Sequence, residues 1–365
     1  MSAVCFYSPI CLEPWDFNTP NTTGIGGSET SHIELAKRFA LSGYETTSFN
    51  SIETITKSPE GVIYYPLSDF RLESSTHYFV YRDPQFFDNE SLAGLNNKYY
   101  FIAQDVDYDW NPTRLSRIDR YICLCQTHAR YTLNKYPALK GRIIISSNGI
   151  DSEGIGFDNA ATFSLNPEYR NPKHLMYASS PDRGLLLILE NWFRIKERVP
   201  EAELSIYYGF NNMDTIIKKM GGNADLEYLR KNIETLMHQP GIHWKGRKPQ
   251  SDIHMSWRKA GVFFYPSNWP ETSCISIMEA QACGAIPVIN RHWAQGENCL
   301  GGINLTGNVP QEDDLMKVRL IRYCCDVLND SAYQEEHRPK IMQDALDTFS
   351  WDKVYTQMVN LVEGK

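Results

Sequence analysis

Pro270-Glu271-Thr272-Ser273-Cys274-Ile275-Ser276-Ile277-Met278-Glu279-Ala280 runs on into QACGAIPVIN over 281–290. It reads as a loop, a helix and a buried strand. Thr272 or Ser273 can cap the helix, and Ile275, Ile277, Met278 and Ala282 supply its buried side. Cys283-Gly284 stops it, and AIPVI restarts as a strand covered on both faces. The unpaired amides at the start of such a helix suit a phosphate. Glu279 lies two turns along, about 12 Å from Glu271 at 1.5 Å per residue. That spacing fits one carboxylate on a sugar and the other on a ribose, with a diphosphate between them.

Outward from this stretch, strands alternate with helices on both sides. The first half offers strands at 3–7, 45–50, 78–82, 99–104, 120–125 and 142–147, with a Gly-rich loop over 18–27 and a helix over 28–42. The second half offers strands at 174–179, 202–209, 242–246, 261–267 and 285–290, with helices over 184–198, 225–238 and 251–259. Such alternation predicts parallel sheets in doubly wound α/β domains. The segment 148–172, rich in Gly, Asn, Asp and Pro, reads as a linker. Two domains follow, residues 1–160 and 173–348. Doubly wound sheets bind ligands outside the carboxyl ends of their strands, so two in tandem predict a cleft between those ends.

Composition narrows the function. The chain has 365 residues, 22% charged and 42% hydrophobic, which is ordinary for a globular protein of two domains. A net charge of −8 argues against a nucleic-acid partner. No apolar run reaches the about 18 residues that span a bilayer, and the first residues lack the basic start of a signal peptide. Nine cysteines without a CxxC pair fit free thiols in a cytoplasmic protein, not a zinc or disulfide framework.

Four further groups of residues fall at strand ends. Gly26-Gly27-Ser28-Glu29 lets backbone amides approach an anion at a helix start, although as an isolated pattern it is more often a plain tight turn. Asp105, in QDVDY, points into the expected cleft or serves as a turn or cap. Asp105-Val106-Asp107 has the letters of a metal-binding pair, but no metal is expected there. Arg183, in SSPDRGL, can clamp a phosphate with its planar fork. Lys245-Gly246-Arg247 resembles a phosphate- or base-contacting loop, or a solvated turn. Trp15, Trp110, Trp269 and Trp293 are candidates for an acceptor surface, with core packing the commoner use of such residues.

The order of these signals resembles the retaining, GT-B-type nucleotide-sugar glycosyltransferases of glycosyltransferase family four. The matching pieces are GGSE with its helix (26–42), SSNGID (146–151), YASSPDRGL (177–185), VPEAELSIYYG (199–209), IHWKGR (242–247), the block 261–289 and FSWDKVYTQMVNLV (349–362). The two glutamates eight positions apart, with YPS before and ACG-x-PV after, are the most specific part.

The resemblance implies two Rossmann-like domains facing each other across a cleft, with a late helix (349–365) crossing back onto the first. The first domain would bind the acceptor and the second the donor. Glu271 would contact the donor sugar, and the amides of Thr272, Ser273 and Cys274 the distal phosphate. Glu279 would hold the ribose, Arg183 the diphosphate, and Gly26 and Gly27 would lie under that diphosphate. Asp105 would sit near the transferring sugar. The family's second phosphate-binding cation is absent at Tyr177-Ala178-Ser179, so Lys245 or Arg247 would replace it, and Thr272-Ser273-Cys274 stands where Gly-Phe-Gly is usual. The donor would be a UDP-, GDP- or dTDP-sugar, with no metal or other cofactor required. The acceptor would be a carbohydrate or a lipid-linked one, with peripheral membrane contact in the second case. A sugar-nucleotide epimerase, or a binding protein without catalysis, would share the architecture.

Overall fold

The computed structural model describes residues 3–152, 155 and 170–365. The chain divides into two compact units. The first comprises Met1–Pro20, Ile25–Gly149 and Phe349–Lys365, and the second Asn21–Gly24 and Ile150–Thr348. The segment read as a linker lies largely outside the described residues.

The first unit is built on an eight-stranded sheet. Its strands are β1 (Ala3–Tyr7), β2 (Glu45–Asn50), β3 (Thr56–Lys57), β4 (Ile63–Pro66), β5 (Thr76–Tyr81), β6 (Lys98–Ala103), β7 (Arg120–Cys123) and β8 (Ile143–Ile145), in the order β3-β4-β2-β1-β5-β6-β7-β8. All pairs are parallel except β3–β4. The order reverses between β1 and β5, which opens a crevice at their carboxyl ends. The interior strands bury nearly every side chain, as a sheet covered on both faces requires. Aromatic residues dominate one core, where Phe86, Phe87, Phe101, Trp110 and Tyr121 pack together. Trp15 is also buried.

The helix Gly27–Leu41 follows the β1 loop and buries Ile33, Leu35, Ala36 and Phe39. The C-terminal helix Trp351–Glu363 packs on it: Tyr355 meets the Phe39 ring edge-on, and Asp352 accepts from Arg38 Nε at 2.7 Å. Gly149 makes room for this helix. A Cβ there would lie 2.7 Å from the Trp351 ring and 2.9 Å from the Phe349 carbonyl.

The second unit has a six-stranded, all-parallel sheet of β9 (Asn171–Tyr177), β10 (Glu203–Tyr207), β11 (Ile242–Gly246), β12 (Ala260–Tyr265), β13 (Ile286–Asn290) and β14 (Ile303–Leu305). The order β11-β10-β9-β12-β13-β14 reverses between β9 and β12. Arg183 follows β9 and Glu271 follows β12, so the crevice of this sheet lies between their loops. Gly184 permits the approach of those loops. Its φ is +101°, and a Cβ would lie 2.4 Å from the Pro266 carbonyl.

Several expectations need correction. The helix of the opening motif begins at Ile275, later than read, and its N-cap is Cys274 rather than Thr272 or Ser273. The helix expected over 184–198 is two, Leu185–Glu190 and Trp192–Arg198. Asn191 interrupts it by turning its side-chain amide onto the Leu187 carbonyl at 2.8 Å, the competition with the backbone typical of this residue. Strands β3, β4 and β14 and the helix Asn211–Lys219 carry too short or too polar a pattern to stand out in the sequence.

Candidate active site

The loop after β12 folds back on itself and buries a carboxylate. Glu271 is 6% exposed at its side chain. Its Oε1 accepts from the Tyr265 hydroxyl at 2.7 Å, and Arg183 Nη1 donates to Oε1 at 3.0 Å and to Oε2 at 3.1 Å. Tyr265 is the last residue of β12, so the strand itself aims one donor at the carboxylate. Ser179, after β9, meets the same hydroxyl at 3.1 Å.

Burial works against the charge on Arg183, but Glu271 more than offsets it and holds the guanidinium above its ordinary pKa. Burial, then Glu271, pushes the Tyr265 phenol far above its ordinary value, so Tyr265 acts only as a neutral donor. The Trp269 ring lies 4.9 Å from the guanidinium carbon and stacks against it. Arg183 Nε and its neighbour Asp182 Oδ1 are buried without a hydrogen-bond partner. A cation with an unsatisfied N–H at the carboxyl end of a parallel sheet can take an anion.

The helix Ile275–Ala282 then carries Glu279 into a second polar cluster. Gln250 Nε2 and His254 Nε2 both reach Glu279 Oε1, at 3.0 and 3.1 Å. The two donors stand one turn apart on the helix Gln250–Lys259, so they share a face. Against a carboxylate, His254 Nε2 is the protonated nitrogen. Glu279 Oε2 carries no hydrogen bond among the described residues. Gln250 and His254 were not singled out in the sequence; their only signal is this spacing at the start of a helix.

The start of the Ile275–Ala282 helix is partly occupied. The Cys274 amide donates to Asn298 Oδ1 at 2.8 Å, and Ser276 Oγ donates to the Ala178 carbonyl at 2.8 Å. Thr272 is buried; Ser273 is half-buried. The cations of the Lys245-Gly246-Arg247 turn diverge. Arg247 Nη2 donates to the Gly24 carbonyl at 2.9 Å, and Lys245 projects from β11 into a groove of about 380 Å³ together with His243.

In the first unit, Gly26 is the N-cap of the Gly27–Leu41 helix and accepts from Thr30 Oγ1 at 2.9 Å. Glu29 turns back over this loop: a Cβ on Gly26 would lie 2.6 Å from Glu29 Oε2. Arg82, immediately after β5, links Glu29 to Asp105. Its Nε donates to Asp105 Oδ2 at 2.6 Å, and Nη1 lies 3.9 Å from Glu29 Oε1. Arg82 holds φ at +63°, a strained conformation for a residue with a side chain. Burial raises the Glu29 pKa, and Arg82 opposes the rise. Asp107 instead pairs with Tyr131 and Lys135. Among the described residues no three His, Cys, Asp or Glu side chains converge as metal ligands, and no helix is long and apolar enough to cross a membrane.

Residues 174–297 match the family of glycosyl transferases group 1. No curated protein sequence matches the chain. Its fold is similar to that of sucrose-phosphate synthase from Thermosynechococcus elongatus, with a TM-score of 0.71 at 13% identity over 100% of this chain and 99% of the other. It is similar to HepE of Anabaena in complex with UDP and glucose, with a TM-score of 0.70 at 13% identity over the whole of both chains. It is also similar to the catalytic domain of starch synthase IV from Arabidopsis thaliana bound to ADP and acarbose, with a TM-score of 0.69 at 11% identity over 99% and 98%. The fold is GT-B.

Proposed function

We infer that the chain, whose residues 174–297 match the group 1 glycosyl transferases, moves a hexosyl or pentosyl group, with retention, from a nucleoside diphosphate to a hydroxyl acceptor. The observation that carries this reading is the buried Glu271–Arg183 pair at the switch point of the second sheet, with Arg183 Nε left without a partner. It offers a carboxylate to sugar hydroxyls and a cation to a diphosphate within one constellation.

In this reading the anomeric carbon–oxygen bond to the diphosphate breaks. The acceptor oxygen bonds to the anomeric carbon on the same face, and its proton passes to a phosphate oxygen of the donor. No protein nucleophile is needed. Arg183 stabilises charge that develops on the leaving diphosphate. Glu271 orients the sugar, held in place by Tyr265. Glu279 accepts from the ribose hydroxyls through Oε2, its other oxygen being fixed by Gln250 and His254. The first unit offers the backbone of Gly26 and Gly27 and the carboxylate of Asp105, held by Arg82, as its own candidate groups for the reaction. Thr272, Ser273 and Cys274 contribute amides, with the Cys274 amide reserved by Asn298 until a phosphate competes for it. Of the two cations after β11, Arg247 is the one that supplies further positive charge, since Lys245 lines a separate groove. No metal is required, because the charge on the diphosphate is met by these groups.

A uridine donor is favoured by HepE, whose fold is similar and which is described with UDP-glucose. The acceptor is a carbohydrate or a lipid-linked one, met in the cytoplasm. The test is a thermal-shift series with UDP, GDP and dTDP, followed by UDP release from UDP-glucose with and without an oligosaccharide acceptor. A ligand at 100 times its dissociation constant stabilises by about 2.7 kcal/mol. Acceptor-dependent UDP release supports a transferase; ligand binding with no turnover would remove it, and a changed sugar without release would make the chain an epimerase.

A further inference from the structure

Strands buried on both faces of a parallel sheet read as near-continuous apolar runs. One face of the second sheet departs from this. His174 on β9, Glu203, Ser205 and Tyr207 on β10, and His243 and Lys245 on β11 all lie on it, following the two-residue period of each strand. Register brings them side by side: Glu203 stands opposite His174, and Ser205 opposite His243. With Ser256 and Lys259 of the Gln250–Lys259 helix they enclose the groove of about 380 Å³, a size suited to a small molecule.

The groove is organised before any ligand enters. His174 Nε2 and Ser205 Oγ lie 2.9 Å apart, and the Tyr207 and Ser256 hydroxyls 2.7 Å apart. Burial, with Lys245 and Lys259 nearby, lowers the His174 pKa to about 4 despite Glu203. At neutral pH, Lys245 and Lys259 therefore supply the positive charge against one glutamate. No acid closes an ion pair with either lysine among the described residues.

We propose that this groove binds a small phosphorylated polyol, with Lys245 and Lys259 on the phosphoryl group and the hydroxyls and imidazoles of Ser205, Ser256, Tyr207 and His174 on the polyol. The site is separate from the Arg183–Glu271 constellation but mechanically joined to the donor site. The Gln250–Lys259 helix lines the groove with Ser256 and Lys259 and grips Glu279 with Gln250 and His254. A ligand that draws on Lys259 biases the position of the helix that orients Glu279. This coupling rests on the ribose role inferred for Glu279; the binding site itself does not.

The test is calorimetry of the full chain with ribose 5-phosphate, and with ribose as the uncharged control. Ribose 5-phosphate should bind, ribose should not, and saturating UDP should not displace the phosphorylated ligand. Lys259→Gln should raise the dissociation constant about tenfold, a loss of about 1.4 kcal/mol, while Lys259→Arg restores binding and circular dichroism confirms both folds. Displacement by UDP, or equal affinity in Lys259→Gln, would overturn the site. Ribose 5-phosphate should also change the affinity for UDP, and UDP that for ribose 5-phosphate by the same factor. Independent binding of the two would overturn the coupling alone. A chain that fails to bind UDP still tests the groove, because the Lys259 dependence is read without it.

Discussion

Arg183 Nη1 divides itself between both oxygens of Glu271, 3.0 Å from one and 3.1 Å from the other, while Nε of the same guanidinium has no partner. One cation is thereby committed to a carboxylate and still has donor capacity for a phosphate. The pair joins the carboxyl ends of β9 and β12, the two strands where the sheet order reverses.

Arg183→Ala should lower turnover by about 10²–10³ if Arg183 meets the leaving diphosphate. The loss should fall on UDP binding and kcat, with uridine binding little changed. Arg183→Lys should recover part of the activity, because it keeps the charge and loses the fork. The measurement is kcat beside calorimetry with UDP and uridine. Equal losses for both ligands would point instead to a collapsed loop around Glu271, whose buried carboxylate would then have lost its counter-ion.

Glu279→Ala should weaken UDP binding at least tenfold, about 1.4 kcal/mol, with the fold intact. Glu279→Gln should cost less, since the amide oxygen still accepts from His254 or Gln250. His254→Ala should act in the same direction as Glu279→Ala but more weakly, because it frees Glu279 rather than removing it. Unchanged UDP affinity in Glu279→Ala, measured by calorimetry, would exclude Glu279 from the donor site.

The sequence made the sheets legible because their strands are apolar runs ended by Gly, Pro and Asn, and because Glu271, Arg183 and Asp105 fall directly after such runs. It did not make the partners of those residues legible. Tyr265 looks like any core aromatic until its hydroxyl is seen on Glu271. Arg82 follows a buried strand in a strained conformation that no sequence pattern announces, and it takes up Asp105. Gln250 and His254 meet Glu279 across 29 and 25 residues of chain, a relationship created by helix packing alone. In the Lys245-Gly246-Arg247 turn the two cations part because Gly246, at φ +67°, ends the alternation of the strand, so Lys245 lies on the groove while Arg247 turns to Gly24.

Gly149→Ala should destabilise the first unit by about 1–3 kcal/mol, the usual cost of forcing atoms into a packed site. The added methyl would meet the Trp351 ring and backbone and the Phe349 carbonyl, all at under 3 Å. Those atoms belong to the C-terminal segment that packs on the first unit. Urea unfolding of the variant should show the loss, and Trp351→Ala should show a larger one, about 3–5 kcal/mol. A neutral Gly149→Ala would mean that the Trp351–Glu363 helix is not held against the first unit as described.

His32 and His128 set an acid limit on the first unit. Both are fully buried, and burial lowers their pKa values from 6.5 to about 3 and about 4. His32 Nε2 is 2.8 Å from Ser48 Oγ and its ring lies among Phe6, Trp15 and Tyr81; no carboxylate compensates a charge there. Between pH about 3 and 6.5 the unfolded chain therefore binds a proton at His32 that the folded chain refuses. The stability is fully present above pH 6.5 and is lost as pH falls, by up to about 1.4 kcal/mol per pH unit for each such histidine. His32→Phe removes the titrating group while filling similar space. It should lower stability at pH 7.5, through the lost Ser48 bond, and flatten the decline between pH 6.5 and 4.5. Urea midpoints at pH 7.5, 6.5, 5.5 and 4.5 for both proteins test this. Parallel curves would show that His32 is protonated in the folded chain, contrary to its burial.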